Sequence, residues 1–459
     1  MTIWTPNLTG RGGPLYQAIA AAIAEDVASG KLLPGEPLPT QRELASRLGV
    51  ALTTVTRGYG EAERRGLVSG EVGRGTFVQR GLAVPGLPDS ELGEPDLVDL
   101  TVNSIFPRTH ARRVAEVVSA VALGPGGERN LNYVPSAGEE RHRRAGAEWI
   151  SRTGLEARAD RVVVTCGAQH AMSVTLGTIC DPGDLVLTAE FTYSGMKSLA
   201  NHYHFGLKGV AADDQGLRPD AFEKACRADD VTALYCMPSI QNPTATVMSA
   251  ERRKEIASIA QRFDVLIVED DSYGYLVDET PLSAYAPTRS FYITSAAKAI
   301  VPGLRVGYIV APPEAIGRLA GAICTTVWMA SPLLAEVMTR CIADGLADEI
   351  VNWKREEITE RQRMATELLS GLQYSTHPQS QHLWLNLPSP WRADDFTAQA
   401  RLRGVAVTPH GDFVIGRAPE KHAVRLCLGW PSQRSTLERG LGIIAETLSA
   451  APEPYTSVV

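Results

Sequence analysis

No two of the seven cysteines, at 166, 180, 226, 236, 324, 341 and 427, stand as a Cys-x-x-Cys pair, and their number is odd. A zinc site or a closed disulfide framework is therefore not expected, and a reducing cytoplasm suits this cysteine usage. No stretch of about 18 uncharged apolar residues occurs, so no membrane span is expected. The opening residues, MTIWTPNLTGRGGP, lack a basic segment followed by an apolar run, which argues against a signal peptide. The chain has no internal repeat and no low-complexity tract, which excludes solenoid and fibrous architectures.

What is present is ordinary for a globular protein. The chain has 459 residues, 44% hydrophobic and 21% charged, enough for a small domain beside a large one. The net charge of −7 is unevenly spread. Residues 1–80 carry nine Arg and Lys against seven Asp and Glu, whereas the remainder carries 36 against 45. The first part can meet nucleic acid; the second is a poor candidate for it.

Residues 1–79 read as helices followed by a hairpin. Residues 80–98, RGLAVPGLPDSELGEPDLV, mix Pro, Gly and acidic residues without a period and read as a linker. From residue 99 to about 455, β-branched runs alternate with amphipathic stretches. The runs are RVVVT (161–165), DLVLTA (184–189), VTALYCM (231–237), DVLIVED (264–270) and SFYITS (290–295). The alternation predicts an α/β domain with a mostly parallel sheet.

In the first unit, Leu15, Ile19, Ile23 and Val27 mark one face of a helix over Leu15–Ser29. Thr40 and Glu43 form a capping box that opens a short helix, and Gly49 permits a sharp turn. A further helix is predicted from Leu52 to Arg65, stopped by Gly66. Helix, Gly-containing turn, helix is the arrangement that presents its second helix to a major groove. Runs at 67–69 and 76–78 around three glycines predict a hairpin, with Arg74 at its tip placed for a minor groove or a phosphate.

Such pieces occur in many small helical modules. The ordered set PLYQAI, LPTQREL, TVTRGY, RGLV and GRGTFV, however, resembles the GntR-type winged helix over residues 14–78. The resemblance implies double-stranded DNA as a partner, with Arg42 at the phosphate backbone and Thr53, Thr54 and Arg57 on the recognition helix. Many relatives carry a polar or basic pair where this chain has Ala51 and Leu52. Leu52 cannot hydrogen-bond a base edge; it can at most touch a thymine methyl.

Four segments of the second unit carry chemistry. In TCGAQHAM (165–172) a strand breaks at Gly167 and a helix follows, and free N–H groups at a helix start suit a phosphate. In MPSIQNPTAT (237–246) an Asn-Pro turn presents Asn242, although by itself this is more often just a turn. In VLIVEDDSYGYL (265–276) a strand ends in acidic residues where α/β ligand sites lie, bringing Asp270 and Tyr273 to one cleft. Alone, these are equally well solvated strand-end groups. In SAAKAIVPGLRVGY (295–308) Lys298 sits among small apolar residues that would lower its pKa and suit a Schiff base, and Arg305 follows within reach of a phosphate.

Together the order and spacing of Asn242, Asp270, Tyr273, Lys298 and Arg305 resemble the fold-type I aminotransferases that use pyridoxal 5'-phosphate, over residues 99–450. The fold this implies is a mostly parallel sheet with helices on both faces and a smaller C-terminal α+β subdomain. The resemblance makes Lys298 the internal aldimine. It places Ala168, Gln169, Ser295 and Arg305 at the phosphate, Tyr193 against the ring face, and Asn242 and Tyr273 at the 3-oxygen. A carboxylate such as Asp270 would keep the pyridine nitrogen protonated. Tyr133, in NYVPSAGEE, resembles the tyrosine that reaches the phosphate of a neighbouring subunit. Arg425, in AVRLCLGWP, resembles the arginine that clamps a substrate carboxylate, although a strand-end surface arginine would look the same. No metal is implied. Two departures are Ala297 before the lysine, where many relatives have Ser, and Pro-Thr-Ala after Asn242, where Pro-Thr-Gly is usual.

A GntR-like winged helix, a linker and an aminotransferase-type domain is the architecture of the MocR-type regulators. That likeness implies a cytoplasmic homodimer that senses pyridoxal phosphate, or an amino compound that condenses with it. The alternative is an active aminotransferase carrying an accessory DNA-binding domain.

Overall fold

The computed structural model describes residues 4–8, 14–29, 31–32, 36–64, 67–71, 75–78, 97–416 and 422–450. Arg74 and nearly all of the linker at 80–98 lie outside the described residues.

The first unit is built around α1 (Leu15–Ala28), α2 (Gln41–Leu48) and α3 (Leu52–Arg64), followed by β1 (Val68–Glu71) and β2 (Gly75–Val78). Ile19 and Ile23 of α1 are fully buried, whereas Leu15, on the same stripe, is half exposed in the first turn, beyond the end of the core. Val55, Tyr59 and Ala62 of α3 recur at helical spacing and face that core. The two helices press close at Gly58, where a Cβ would stand 3.0 Å from the Ile19 side chain. The capping box opens α2 as expected: the Glu43 N–H donates to Thr40 Oγ1 at 3.3 Å. Gly49 ends it with φ +62°, a conformation that favours glycine. β1 and β2 pair antiparallel from Val68↔Val78 to Glu71↔Gly75, a longer hairpin than the two apolar runs suggested.

The second unit opens with β3 (Val98–Asp99). Its central sheet contains β4 (Val162–Thr165), β5 (Leu185–Ala189) and β6 (Gly206–Val210). A small hairpin, β7 (Ala212–Asp213) and β8 (Gly216–Leu217), precedes β9 (Ala233–Cys236), β10 (Leu266–Asp270), β11 (Ser290–Ser295) and β12 (Gly307–Val310). The order is β4-β12-β11-β10-β9-β5-β6, and β12 alone of these seven runs antiparallel to its neighbours. The central strands are apolar along nearly their whole length because helices cover both faces. The carboxyl ends of the parallel strands gather at one edge, where Thr165, Gly307 and Ser295 stand in one row.

The smaller subdomain follows a long helix, Leu346–Leu368. It holds β13 (Tyr374–Ser375), β14 (His382–Asn386), β15 (Val405–Ala406), β16 (Thr408–Pro409) and β17 (Ala423–Cys427). Four of them form an antiparallel sheet in the order β13-β14-β17-β16, while β15 pairs in parallel with β3. Val98 and Leu100 are buried in this subdomain's core beside Leu383 and Leu426. The start of the second unit is thus anchored to the smaller subdomain, and residues 101–104 then cross towards the strand ends. Among the described residues no helix is long and apolar enough to cross a membrane.

Candidate cofactor and effector site

The cleft forms where the strand ends of the large sheet face β14, β16 and β17. Gly167 adopts φ +85° at the start of the helix Ala168–Ile179. A Cβ at Gly167 would stand 2.9 Å from Arg305 Nη2, and one at Gly307 would stand 2.7 Å from the Gly167 carbonyl carbon. The two glycines let the helix start, β12 and Arg305 converge, and Arg305 Nη2 donates to the Cys166 carbonyl at 3.2 Å. Arg305 itself takes φ +48° and is exposed. Unpaired N–H groups of a helix start beside a guanidinium make a receptor for an anion. Ala168 and Gln169 are the first residues of that helix, and Tyr193 Oη donates to Gln169 Oε1 at 3.2 Å. Ser295 is buried at the end of β11, and its side chain does not cap the short helix Ala296–Ala299.

Asp270 closes β10. Its Oδ2 accepts from Tyr235 Oη at 3.0 Å, and its Oδ1 accepts from the Ser272 amide at 3.1 Å and hydroxyl at 2.5 Å. Burial pushes its pKa up; the Ser272 and Tyr235 hydrogen bonds oppose that. A nearby cation would relieve the cost of burying this carboxylate. Tyr273, three residues on, is buried, with its ring 6.2 Å from that of His382.

Lys298 Nζ donates to the Asn103 carbonyl. Enclosure of the amine lowers its pKa to about 8, with Arg425 and Arg305 adding to the effect. The Lys298 carbonyl is itself held, by Lys354 Nζ at 2.8 Å and by Tyr275 Oη. Tyr275 Oη accepts in turn from Gln381 Nε2 at 2.9 Å. Lys354 is fully buried, and burial drives its pKa well down, with the charge of Lys298 adding to it.

Arg425 lies in β17 directly opposite Trp384 of β14 and Thr408 of β16, so the three share one face. Its Nη1 donates to Asn242 Oδ1 at 2.8 Å and its Nη2 to the Thr101 carbonyl at 2.6 Å. The guanidinium lies over the Phe413 ring at 4.8 Å, which holds its plane. Its Nε is buried without a partner. So is Asn103 Oδ1, although Asn103 Nδ2 lies 3.0 Å from His382 Nδ1. His382 Nε2 faces the Gln241 carbonyl at 3.1 Å. A carbonyl can only accept, so Nε2 carries the proton and Nδ1 accepts from Asn103. Burial and the Arg425 charge lower the His382 pKa to about 3, so the ring stays neutral.

Contacts therefore link Lys298 to residues 101–103, and these to Arg425, Asn242 and Tyr273. The phosphate-type group of Gly167, Ala168, Gln169, Ser295 and Arg305 adjoins Tyr193. Tyr133 joins none of these within the chain: it is 77% exposed, with its ring 6.0 Å from that of Trp328. Tyr235, Ser272, Asn103, His382 and Lys354 were not legible in the sequence. Ser272 had the nearest signal, two residues beyond an aspartate on a strand end. The donor set suits a phosphorylated pyridine aldehyde: an anion receptor, a buried carboxylate, an enclosed amine, and two buried polar atoms still without partners. Among the described residues no cluster of His, Cys, Asp or Glu could hold a metal.

In the winged-helix unit, Arg42, Thr53 and Arg57 are exposed and Thr54 is half-buried. Arg57 stacks over the Tyr16 ring at 4.3 Å. Thr56, which sequence reasoning passed over, donates to Gln41 Oε1 at 2.7 Å and so ties α3 to the start of α2.

Comparison with known proteins gives two family matches: aminotransferase class I and II over residues 95–441, and bacterial regulatory proteins of the gntR family over 15–78. The uncharacterized HTH-type transcriptional regulator YdeF of Bacillus subtilis is 28% identical over 450 residues, covering 97% of this chain and 96% of that protein. The uncharacterized HTH-type transcriptional regulator YdcR of Escherichia coli is 25% identical over 439 residues, covering 87% and 92%. A crystal structure of Pyrococcus horikoshii kynurenine aminotransferase superposes with a TM-score of 0.73 at 23% identity, over 78% of this chain and 92% of that one. At that identity the superposition speaks for the fold.

Proposed function

The chain belongs to the aminotransferase class I and II family, with a gntR-family winged helix ahead of it, and we propose that it is a MocR-type, DNA-binding transcription regulator responsive to pyridoxal phosphate or to an amino compound that condenses with it. One observation carries this reading. A single chain pairs a well-packed winged helix with a cleft that gathers an enclosed amine, a buried carboxylate and a buried arginine, the amine and the arginine joined through residues 101–103. A metabolic enzyme has no need of the former.

When bound, pyridoxal phosphate supplies an aldehyde that condenses with amines and a ring that withdraws electrons. The residues that would hold it are Lys298 at the aldehyde, Asp270 at the ring nitrogen, Asn242 and Tyr273 at the ring oxygen and Tyr193 at the ring face. Ala168, Gln169, Ser295 and Arg305 would hold the phosphate. The lowered pKa of Lys298 leaves an appreciable share of its amine unprotonated near neutral pH, as a nucleophile must be. Asp270 holds its charge against burial through Tyr235 and Ser272. Arg425 orients a carboxylate-bearing effector through its planar guanidinium. Thr101 and Asn103 connect effector clamp and amine, so occupancy of one changes the partners of the other. Regulation then follows if the two ligand states differ in their affinity for DNA.

Phe106, Leu123, Leu131, Tyr133 and Trp328 are all large apolar residues exposed in the isolated chain. They favour a homodimer, in which Tyr133 would reach the phosphate of the partner subunit. DNA and pyridoxal phosphate as partners point to the cytoplasm.

The second reading, an active aminotransferase with an accessory DNA module, is favoured by the completeness of the cleft. One experiment separates them: the visible spectrum of the protein loaded with pyridoxal phosphate, followed during additions of amino acids and then a keto acid, beside DNA binding under the same conditions. A band that moves and stays, with altered DNA affinity, supports the regulator. A band lost to amino acid and restored by keto acid, with no sequence-specific DNA binding, overturns it in favour of the enzyme.

A further inference from the structure

The recognition helix carries an unusual outward stripe. Leu52 and Thr56 stand one turn apart, with Thr53 and Arg57 beside them, and all four are exposed. Leu52 is 43% exposed, one of few large apolar side chains so placed. It contributes nothing to the core of the unit, which α3 supplies from Val55, Tyr59 and Ala62. Several polar groups of α2 and α3 are already engaged within the protein. Thr56 Oγ1 donates to Gln41 Oε1 at 2.7 Å and lies 3.1 Å from the Leu52 carbonyl. Arg47 Nη2 lies 3.4 Å from Glu43 Oε1. Arg57 is stacked on Tyr16. What the first turn of α3 offers a base pair is thus an aliphatic side chain and the Thr53 hydroxyl.

In the major groove only thymine presents a methyl group, the base-edge feature that apolar side chains contact. We propose that Leu52 reads the 5-methyl group of a thymine in each half-site, so that the operator is selected by apolar contact where a basic residue would select guanine. The inference rests on the DNA-binding function proposed above. Burial of one methyl against Leu52 corresponds to about a fourfold change in affinity per half-site.

The test uses the full-length protein loaded with pyridoxal phosphate. Bound sequences are first enriched from a random duplex library. Each thymine of the preferred site is then replaced in turn by uracil, which removes the methyl and leaves the pairing edge intact. The expected result is a loss of about fourfold at one thymine per half-site, absent in Leu52→Ala. Leu52→Arg is expected to move the preference at that position from thymine to guanine, a gain that an unfolded variant could not show. Sequence-specific binding with no uracil effect anywhere overturns the proposal, as does a uracil effect that persists undiminished in Leu52→Ala. Failure to enrich any sequence is distinguishable from these and overturns the regulator reading together with this one.

Discussion

The two units assemble by opposite means. The winged helix is made from neighbours: Thr40 caps Glu43, Gln41 meets Thr56, and Tyr59 Oη donates to the Pro39 carbonyl at 2.8 Å. The cleft is made from strangers. Lys298 meets Asn103, Arg425 meets Thr101 and Asn242, and His382 meets Gln241, across separations of 141 to 324 residues. A unit of the first kind announces itself in short motifs and tolerates local damage. A unit of the second kind concentrates its dependence in a few side chains, each of which touches several segments.

The largest effect that would sharpen this contrast is expected from Lys298→Ala. It should abolish the visible absorption of the protein with pyridoxal phosphate while leaving the winged helix folded, checked by absorbance and by amide hydrogen exchange in residues 14–64. Loss of protection in both units would break the contrast. Next comes Gly307→Val, which would press a branched side chain into the Gly167 backbone and into Thr165 Oγ1, 2.7 and 2.8 Å from a Cβ. The cost should be about 3 kcal/mol, read as a lowered unfolding transition of the second unit.

Arg425→Met should weaken a carboxylate-bearing effector about thirtyfold, equivalent to ~2 kcal/mol, in a titration followed by absorbance. An amine lacking a carboxylate should bind the variant and the parent alike. A smaller effect concerns pH. With its pKa lowered to about 8, Lys298 in the unloaded protein is protonated below that value and free above it. The rate at which the protein captures pyridoxal phosphate should therefore rise about tenfold per pH unit towards 8 and then level off. His382, with a pKa of about 3, contributes nothing to that profile. A rate that kept climbing to pH 10 would mean that enclosure does not depress the amine.

The same contrast explains what could be read without coordinates. The parallel strands, the capping box and the turn at Gly49 were legible because each follows from a short pattern of apolar spacing or punctuation. Asp270, Asn242 and Lys298 stood out because a strand end, an Asn-Pro turn and a run of small residues mark them locally. Their supports did not stand out. Lys354 lies in an amphipathic helix 56 residues beyond the carbonyl it holds. Asn103 follows the linker in a segment with no period. His382 opens an apolar strand and reads as a core residue, and only the approach of residues 103 and 241 gives its two nitrogens partners. Leu15 shows the converse: its spacing puts it on the helix face with Ile19 and Ile23, as the structure does, but the stripe outruns the core and leaves it half exposed.

The smallest expected effect tests the local half of the contrast. Thr40 is the N-cap of α2, and its Oγ1 takes the Glu43 N–H, one of the helix-start donors that would otherwise lack a protein partner. Thr40→Ala removes that acceptor and should cost about 1 kcal/mol. Because α2 is tied to α3 through Gln41 and Thr56, the loss should reach the recognition helix as a modest drop in DNA affinity and in the stability of the first unit. Thr40→Ser, which keeps the hydroxyl, should restore most of it. The visible spectrum with pyridoxal phosphate should not move, since none of the described cleft contacts involves α2. If it did move, the two units would be coupled through the folded ground state of the protein, and the division into a locally built reader and a globally built sensor would fail.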